Sequence, residues 1–167
     1  IIRVGYRGSS SGALVQDPYF KKNISGATKA GIKVGLYFFT QAVNEAEAVE
    51  EASMAMSLAS GYKVTYPIFI DTESASNGRA KSARTAVVKA FCQTVRNGGY
   101  KAGVYASKSW YANQLNASAL NGYCIWVAQY NSSCTYSGKY DMWQYSSKGS
   151  VSGIKGNVDM NISYTGY

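Results

Sequence analysis

Residues 66 to 73 read Tyr-Pro-Ile-Phe-Ile-Asp-Thr-Glu, an apolar run that ends in two carboxylates spaced i, i+2. Side chains two apart on a strand share a face. Asp71 and Glu73 should therefore project together from the strand's C-terminal end, where parallel α/β sheets carry their chemistry. Two neighbouring carboxyl groups are the minimal apparatus for cutting a glycosidic bond. An acid after a strand also caps helices and solvates loops, so the pair alone leaves both readings open.

The rest of the composition narrows the choice. There is no histidine, which removes Ser-His and Cys-His nucleophiles, His-ligated zinc and imidazole acid-base catalysis. Cys92, Cys124 and Cys134 form no C-x-x-C pattern, so a thiolate metal site is unsupported. No cofactor or metal is implied. Ser-x-x-Lys occurs at Ser60 to Lys63 and at Ser152 to Lys155, but each match contains a glycine and neither opens a helical pattern. Acid-base work is left to carboxylates, lysine or tyrosine.

Only nine acids are present. Glu45, Glu47, Glu50 and Glu51 crowd one helix start, where negative charge suits the helix dipole. Asp17 precedes Pro18 and a helical pattern, as an N-cap does. Asp141 stands before Met142-Trp143 and enters a strand rather than leaving one. Asp159, in Asn157-Val158-Asp159-Met160-Asn161, joins Asp71 and Glu73 as the third candidate for the site.

The elements that must hold these residues alternate. Strands are expected at Ile1 to Tyr6, Ile32 to Thr40, Tyr66 to Glu73, Lys101 to Ser107 and Tyr123 to Tyr130, with shorter ones near Met142 to Tyr145 and Val158 to Asn161. Helical periodicity covers Asp17 to Ala30, Asn44 to Ser60, Ser82 to Asn97 and a short stretch around Ser109 to Leu115. Gly31, Gly61 and Gly98-Gly99 end the three long helices. This order predicts an α/β fold with a mostly parallel sheet, and at least seven strands suggest a barrel. The 167 residues carry no linker or charge block and read as one domain. No apolar stretch is long enough to span a membrane, and no leader pattern opens the chain.

The formal charge of +8 and a pI near 9.3 favour an anionic partner. The cations are dispersed, with Lys21-Lys22 the longest run, which argues against a nucleic-acid groove. Fifteen tyrosines and three tryptophans suit a sugar-lined cleft.

The tail from Trp143-Gln144-Tyr145 through Gly156-Asn157-Val158-Asp159-Met160-Asn161 resembles the closing signature of glycoside hydrolase family 25, the Chalaropsis-type lysozymes. Ile2-Arg3-Val4-Gly5-Tyr6-Arg7-Gly8, Gly35-Leu36-Tyr37-Phe38-Phe39, Ile70-Asp71-Thr72-Glu73, Gly103-Val104-Tyr105 and Trp126-Val127-Ala128-Gln129-Tyr130 resemble the same family, in the same order.

The resemblance implies an irregular TIM-like β/α barrel. It also implies hydrolysis of the β-1,4 bond between N-acetylmuramic acid and N-acetylglucosamine in peptidoglycan, outside the cell or in its wall. Carried onto this chain, Glu73 is the general acid, while Asp71 and Asp159 stabilise the oxocarbenium-like transition state or orient the substrate acetamido group. Tyr37, Tyr105, Trp126 and Gln144 line the sugar cleft. Apolar walls and the like charge of Asp71 are expected to keep the acid protonated.

Two departures stand out. Phe38 occupies a position where the family has histidine, on the strand face opposite Tyr37. The family's first strand and helix, about 30 residues by barrel arithmetic, have no counterpart here, and that strand normally supplies another aspartate. A gap in the barrel would weaken catalysis and leave two sheet edges open to self-association.

A family 18 chitinase pattern fails at Phe69, where it requires an acid. A wall-binding module without catalysis remains the alternative. In an exported enzyme Cys124 and Cys134 could be bridged, whereas Cys92 reads as a buried free thiol.

Overall fold

The computed structural model describes residues 1–73 and 79–167. Twelve labelled elements run β1 (Ile2–Arg7), β2 (Leu14–Gln16), α1 (Phe20–Lys29), β3 (Val34–Phe39), α2 (Glu45–Ala59), β4 (Val64–Asp71), α3 (Lys81–Asn97), β5 (Ala102–Ser107), α4 (Lys108–Asn113), β6 (Cys124–Ala128), β7 (Met142–Gly149) and β8 (Val158–Ser163), with a 3-10 helix at Ala117–Leu120 before β6. The eight strands form one sheet in the order β2-β1-β3-β4-β5-β6-β7-β8. From β1 through β7 the neighbours are parallel, and the two edge strands β2 and β8 are antiparallel. This is the α/β, mostly parallel architecture that the alternating pattern predicts.

Strand alternation divides the side chains between two cores. Val34, Leu36, Phe38, Ile68, Ile70, Val104, Ala106, Ile125 and Val127 point to the helical side and pack with Ala48, Ala52, Val88, Phe91 and Val95 of α2 and α3. Phe69, Tyr105, Trp126, Ala128 and Met142 form a second cluster on the other face, with Tyr37 packed against it. Phe38 is fully buried on the helical side, so the expected histidine position does not face the acids. Residues from β3 through β8 line a single cavity, which requires the sheet to curl around it.

The helix ends follow local chemistry. Asn44 caps α2 by accepting from the Glu47 N–H at 2.9 Å, and Glu47 answers by accepting from the Val43 N–H at 2.7 Å. Gly61 and Gly99, at φ 89° and 85°, take the left-handed conformation that ends α2 and α3. Gly103 has a different reason. A Cβ there would lie 2.4 Å from the Phe69 ring, so the ring can lie across β5 only because the side chain is missing.

Five expectations need correction. Helix α1 starts at Phe20, later than expected, and Asp17 accepts from the Tyr19 N–H at 2.8 Å while pairing with Arg3 at 2.6 Å. Strand β2, in a Ser/Gly-rich stretch with no periodicity, was not anticipated. It covers β1 along Gly5–Arg7, so the edges of the sheet are β2 and β8. The short helix around Ser109 to Leu115 is α4, Lys108–Asn113, and a separate 3-10 turn at Ala117–Leu120, outside the expected stretch, follows it.

Glu51 is not a dipole-serving surface acid. It is 0% exposed and accepts from Arg7 Nε at 2.9 Å, and the same guanidinium bonds Glu50 at 2.9 Å. Finally, all three cysteines are free. Cys124 Sγ accepts from the Tyr167 hydroxyl at 3.1 Å, so Cys124 and Cys134 are not bridged. Cys92 is a buried thiol as expected, and burial pushes its proton affinity up.

Candidate active site

The site is built on a lateral row of strand residues. Parallel pairing sets Asp71 beside Tyr105, and Tyr105 beside Trp126. These three stand at one level of the sheet, and alternation turns all of them to the concave face. Tyr37 and Gln144 approach the same space from β3 and β7, and Asp159 and Asn161 from β8. Together with Glu73 they line a cavity of about 440 Å³. All seven residues singled out from the sequence, Glu73, Asp71, Asp159, Tyr37, Tyr105, Trp126 and Gln144, are thus brought together.

Asp71 ends β4 and is 5% exposed, whereas Glu73, two residues on, is exposed to solvent. The turn between them is pinned. The Thr72 N–H donates to Tyr105 O at 3.0 Å, Trp110 Nε1 donates to Thr72 Oγ1 at 3.2 Å, and the Thr40 N–H donates to Asp71 O at 3.0 Å. The strand exit is therefore fixed on both sides.

Burial pushes the Asp71 carboxyl up to about 9, and the Glu73 charge and a hydrogen bond between the two carboxyls add to the effect; Arg3 opposes it. Among the described residues, Asp71 Oδ1 is buried without a hydrogen-bond partner. Desolvation thus favours a proton on Asp71, the member of the pair that is removed from water.

The aromatic floor is fixed by edge-on contacts. Trp126 meets Phe69 at 5.2 Å and Tyr105 at 4.6 Å between centroids, each worth about 0.5–1.5 kcal/mol beyond burial. Trp126 Nε1 donates to Asn161 Oδ1 at 2.9 Å. Gln144 Oε1 accepts from both Tyr105, at 2.8 Å, and Tyr130, at 2.9 Å. Two phenols on one amide oxygen fix the amide's orientation and leave its nitrogen to donate elsewhere. Burial raises Tyr105 far above the ordinary phenol range, followed by the Glu73 charge, so it acts as a hydrogen-bond donor and not as an anion.

Sequence reasoning did not single out Asn161 or Tyr130. Both lie in the segments that carry the resemblance, and the signal for Asn161 was its i, i+2 spacing from Asp159. Asp141 sits at the opposite end of its strand, accepting from the Ile125 N–H at 2.9 Å and pairing with Lys139 at 3.4 Å. Among the described residues no grouping of three or more acid or cysteine side chains could hold a metal ion, and no helix is long and apolar enough to cross a membrane.

Comparison with known proteins agrees with this geometry. The autolytic lysozyme of Clostridium acetobutylicum is 29% identical over 161 residues, covering 96% of this chain and 48% of that protein. The modular autolysin LytC of Streptococcus pneumoniae, solved in complex with a synthetic peptidoglycan ligand, aligns with a TM-score of 0.81 at 28% identity, over 96% of this chain and 39% of that one. The CTP1L endolysin aligns with a TM-score of 0.79 at 29% identity, over 98% of this chain and 57% of that one. The chain spans about half the length of the curated relatives it matches. The model of the family described as glycosyl hydrolases family 25 matches residues 2–154. The chain belongs to glycosyl hydrolase family 25.

Proposed function

We propose that residues 1–167 form a catalytic domain that hydrolyses peptidoglycan at the β-1,4 bond between N-acetylmuramic acid and N-acetylglucosamine, with Glu73 as general acid. The observation that carries this reading is the carboxyl pair, Asp71 and Glu73, lining one cavity together with Tyr37, Tyr105, Trp126 and Gln144. Family membership and the peptidoglycan ligand of the LytC structure support the choice of polymer. A wall polymer places the protein's site of action outside the cell or in the wall.

In the free protein the shared proton rests on Asp71. A bound glycan strips water from the exposed Glu73 and makes its charged form costly, so the proton crosses the hydrogen bond to Glu73. Glu73 then gives that proton to the glycosidic oxygen as the bond to the anomeric carbon breaks. Asp71, now a carboxylate, faces the positive charge developing on the ring, and Asp159 faces it from β8. Water then adds to the anomeric carbon, and the proton it releases returns to the carboxyl pair, which restores the starting state. The two sheet edges, β2 and β8, are also candidates for pairing with a second copy, which sedimentation velocity at rising concentration would detect.

The decisive test is Glu73→Gln assayed by release of reducing ends from purified peptidoglycan, with co-sedimentation on the same material. Loss of the acid is expected to lower turnover about 100-fold or more while co-sedimentation persists. Unchanged turnover would remove Glu73 as the acid. Wild-type protein that binds without any turnover would identify a wall-binding module instead.

A further inference from the structure

Glu73 also borders a second cavity, of about 430 Å³, lined by Tyr105, Ser107, Lys108, Ser109, Ala128, Gln129 and Tyr130. The two cavities share Glu73 and Tyr105. Their charges differ. The first holds the three carboxyl side chains Asp71, Glu73 and Asp159. In the second, Lys108 is the cation among the described lining residues.

Lys108 is held in place. Its Nζ donates to Thr135 Oγ1 at 2.6 Å, and Thr135 is locked to Gln129 by a reciprocal pair, Gln129 Nε2 to Thr135 Oγ1 at 2.8 Å and Thr135 N to Gln129 Oε1 at 2.9 Å. Gln129 is anchored in turn by its backbone, which accepts from Trp143 Nε1 at 2.9 Å and donates to Gln144 O at 3.1 Å. An ammonium has three donors, so the tether uses one and leaves two. Among the described residues no carboxylate lies within ion-pair distance of Lys108. Beside it Tyr130 is 58% exposed and lines the cavity, with its hydroxyl tied to Gln144. An exposed ring anchored at its tip is a stacking surface for a sugar.

We propose that Lys108 is a specificity residue that pairs with a carboxylate carried by the glycan in the cavity next to Glu73. This rests on the peptidoglycan reading above. That polymer offers two such groups, the lactyl carboxylate of muramic acid where no peptide is attached and the carboxylates of the stem peptides where one is. A neutral polymer of N-acetylglucosamine has neither, so Lys108 selects the acidic strand over the neutral one.

Three tetrasaccharides separate the possibilities: a peptidoglycan fragment with its stem peptides, the same fragment with the peptides removed to free the lactyl carboxylate, and chitotetraose. Affinities are measured by tryptophan fluorescence in the Glu73→Gln background, where ligand is consumed more slowly by about 100-fold or more, with and without Lys108→Met. A half-buried ion pair gives an expected loss of about 3- to 10-fold. Loss on the peptide-free ligand alone identifies the lactyl carboxylate, and loss on both muramic ligands but not on chitotetraose means that the ammonium accepts either carboxylate. Loss on the peptide-bearing ligand alone identifies the stem peptide. Lys108→Arg should restore affinity in each case, which a purely structural tether to Thr135 would not require. An equal loss on all three ligands, or none on any, overturns the proposal. Hydrolysis of the peptide-bearing fragment by the wild type is followed in parallel. Carboxylate-dependent binding without cleavage would overturn the hydrolase reading and leave Lys108 in place, whereas no binding to any ligand would overturn both.

Discussion

At the scale of the residue, the site is held against the chain's own stability. A carboxyl group that keeps its proton to about 9 when folded, but only to its ordinary 3.8 when unfolded, makes the folded state the better proton binder between those values. Stability from this group is complete below the lower value and falls as pH rises toward the upper one. Asp71→Asn has nothing to titrate there. The variant should melt above the wild type at pH 8, by an amount on the order of a few kcal/mol, with a smaller gain at pH 5, and it should lose turnover. Melting temperatures at both pH values check this, and equal melting of variant and wild type would mean that Asp71 is not a buried, protonated acid.

The same residues show how far local reading reaches. Asp71, Tyr105 and Trp126 could be placed from the sequence because alternation on a strand is a local rule. The upward shift of Asp71 could not be read locally, because it depends on burial, and that is decided by packing. Glu51 failed for a related reason. Its partner Arg7 lies 44 residues away, so the sequence around it shows only a glutamate near a helix start.

Among the elements, Arg7 joins the end of β1 to α2 through Glu50 and Glu51, and its Nη1 donates to Gly12 O at 2.7 Å. It thereby holds the turn between β1 and β2 as well. Arg7→Met would leave Glu51 buried and uncompensated, at a cost of about 3–5 kcal/mol. Burial already pushes the Glu51 carboxyl upward, against the bonds from Thr40 and Arg7. The variant should therefore recover part of its loss at acid pH, where Glu51 takes up a proton, and urea titrations at pH 7 and pH 5 would show the difference. A loss independent of pH would locate the cost elsewhere. The long helices and central strands were legible from periodicity and glycine stops. Strand β2 was not, because three residues carry no period and only the neighbouring strand gives them one.

For the whole molecule, a net charge of +8 surrounds a cleft whose own side chains are acidic. Under the proposed function, attraction to an anionic wall therefore belongs to the body of the protein and not to the acidic cavity. Exposed charges are screened over about 10 Å at 0.1 M salt. Co-sedimentation with intact walls should weaken several-fold from roughly 0.05 M to 0.5 M salt, while cleavage of a short soluble fragment changes less. Salt-independent wall binding would show that the net charge has no part in it.

Because odd and even positions of each strand serve different faces, folding and chemistry are written into the same segments without sharing side chains. Tyr37 can be altered for ligand preference while Leu36 and Phe38 continue to hold the helices. Insertions behave differently: one residue added inside β4 would exchange the two sets at once, turning the acid into the apolar layer and an isoleucine into the cleft. Variants of this scaffold should therefore tolerate substitutions along its strands far better than single-residue changes in strand length.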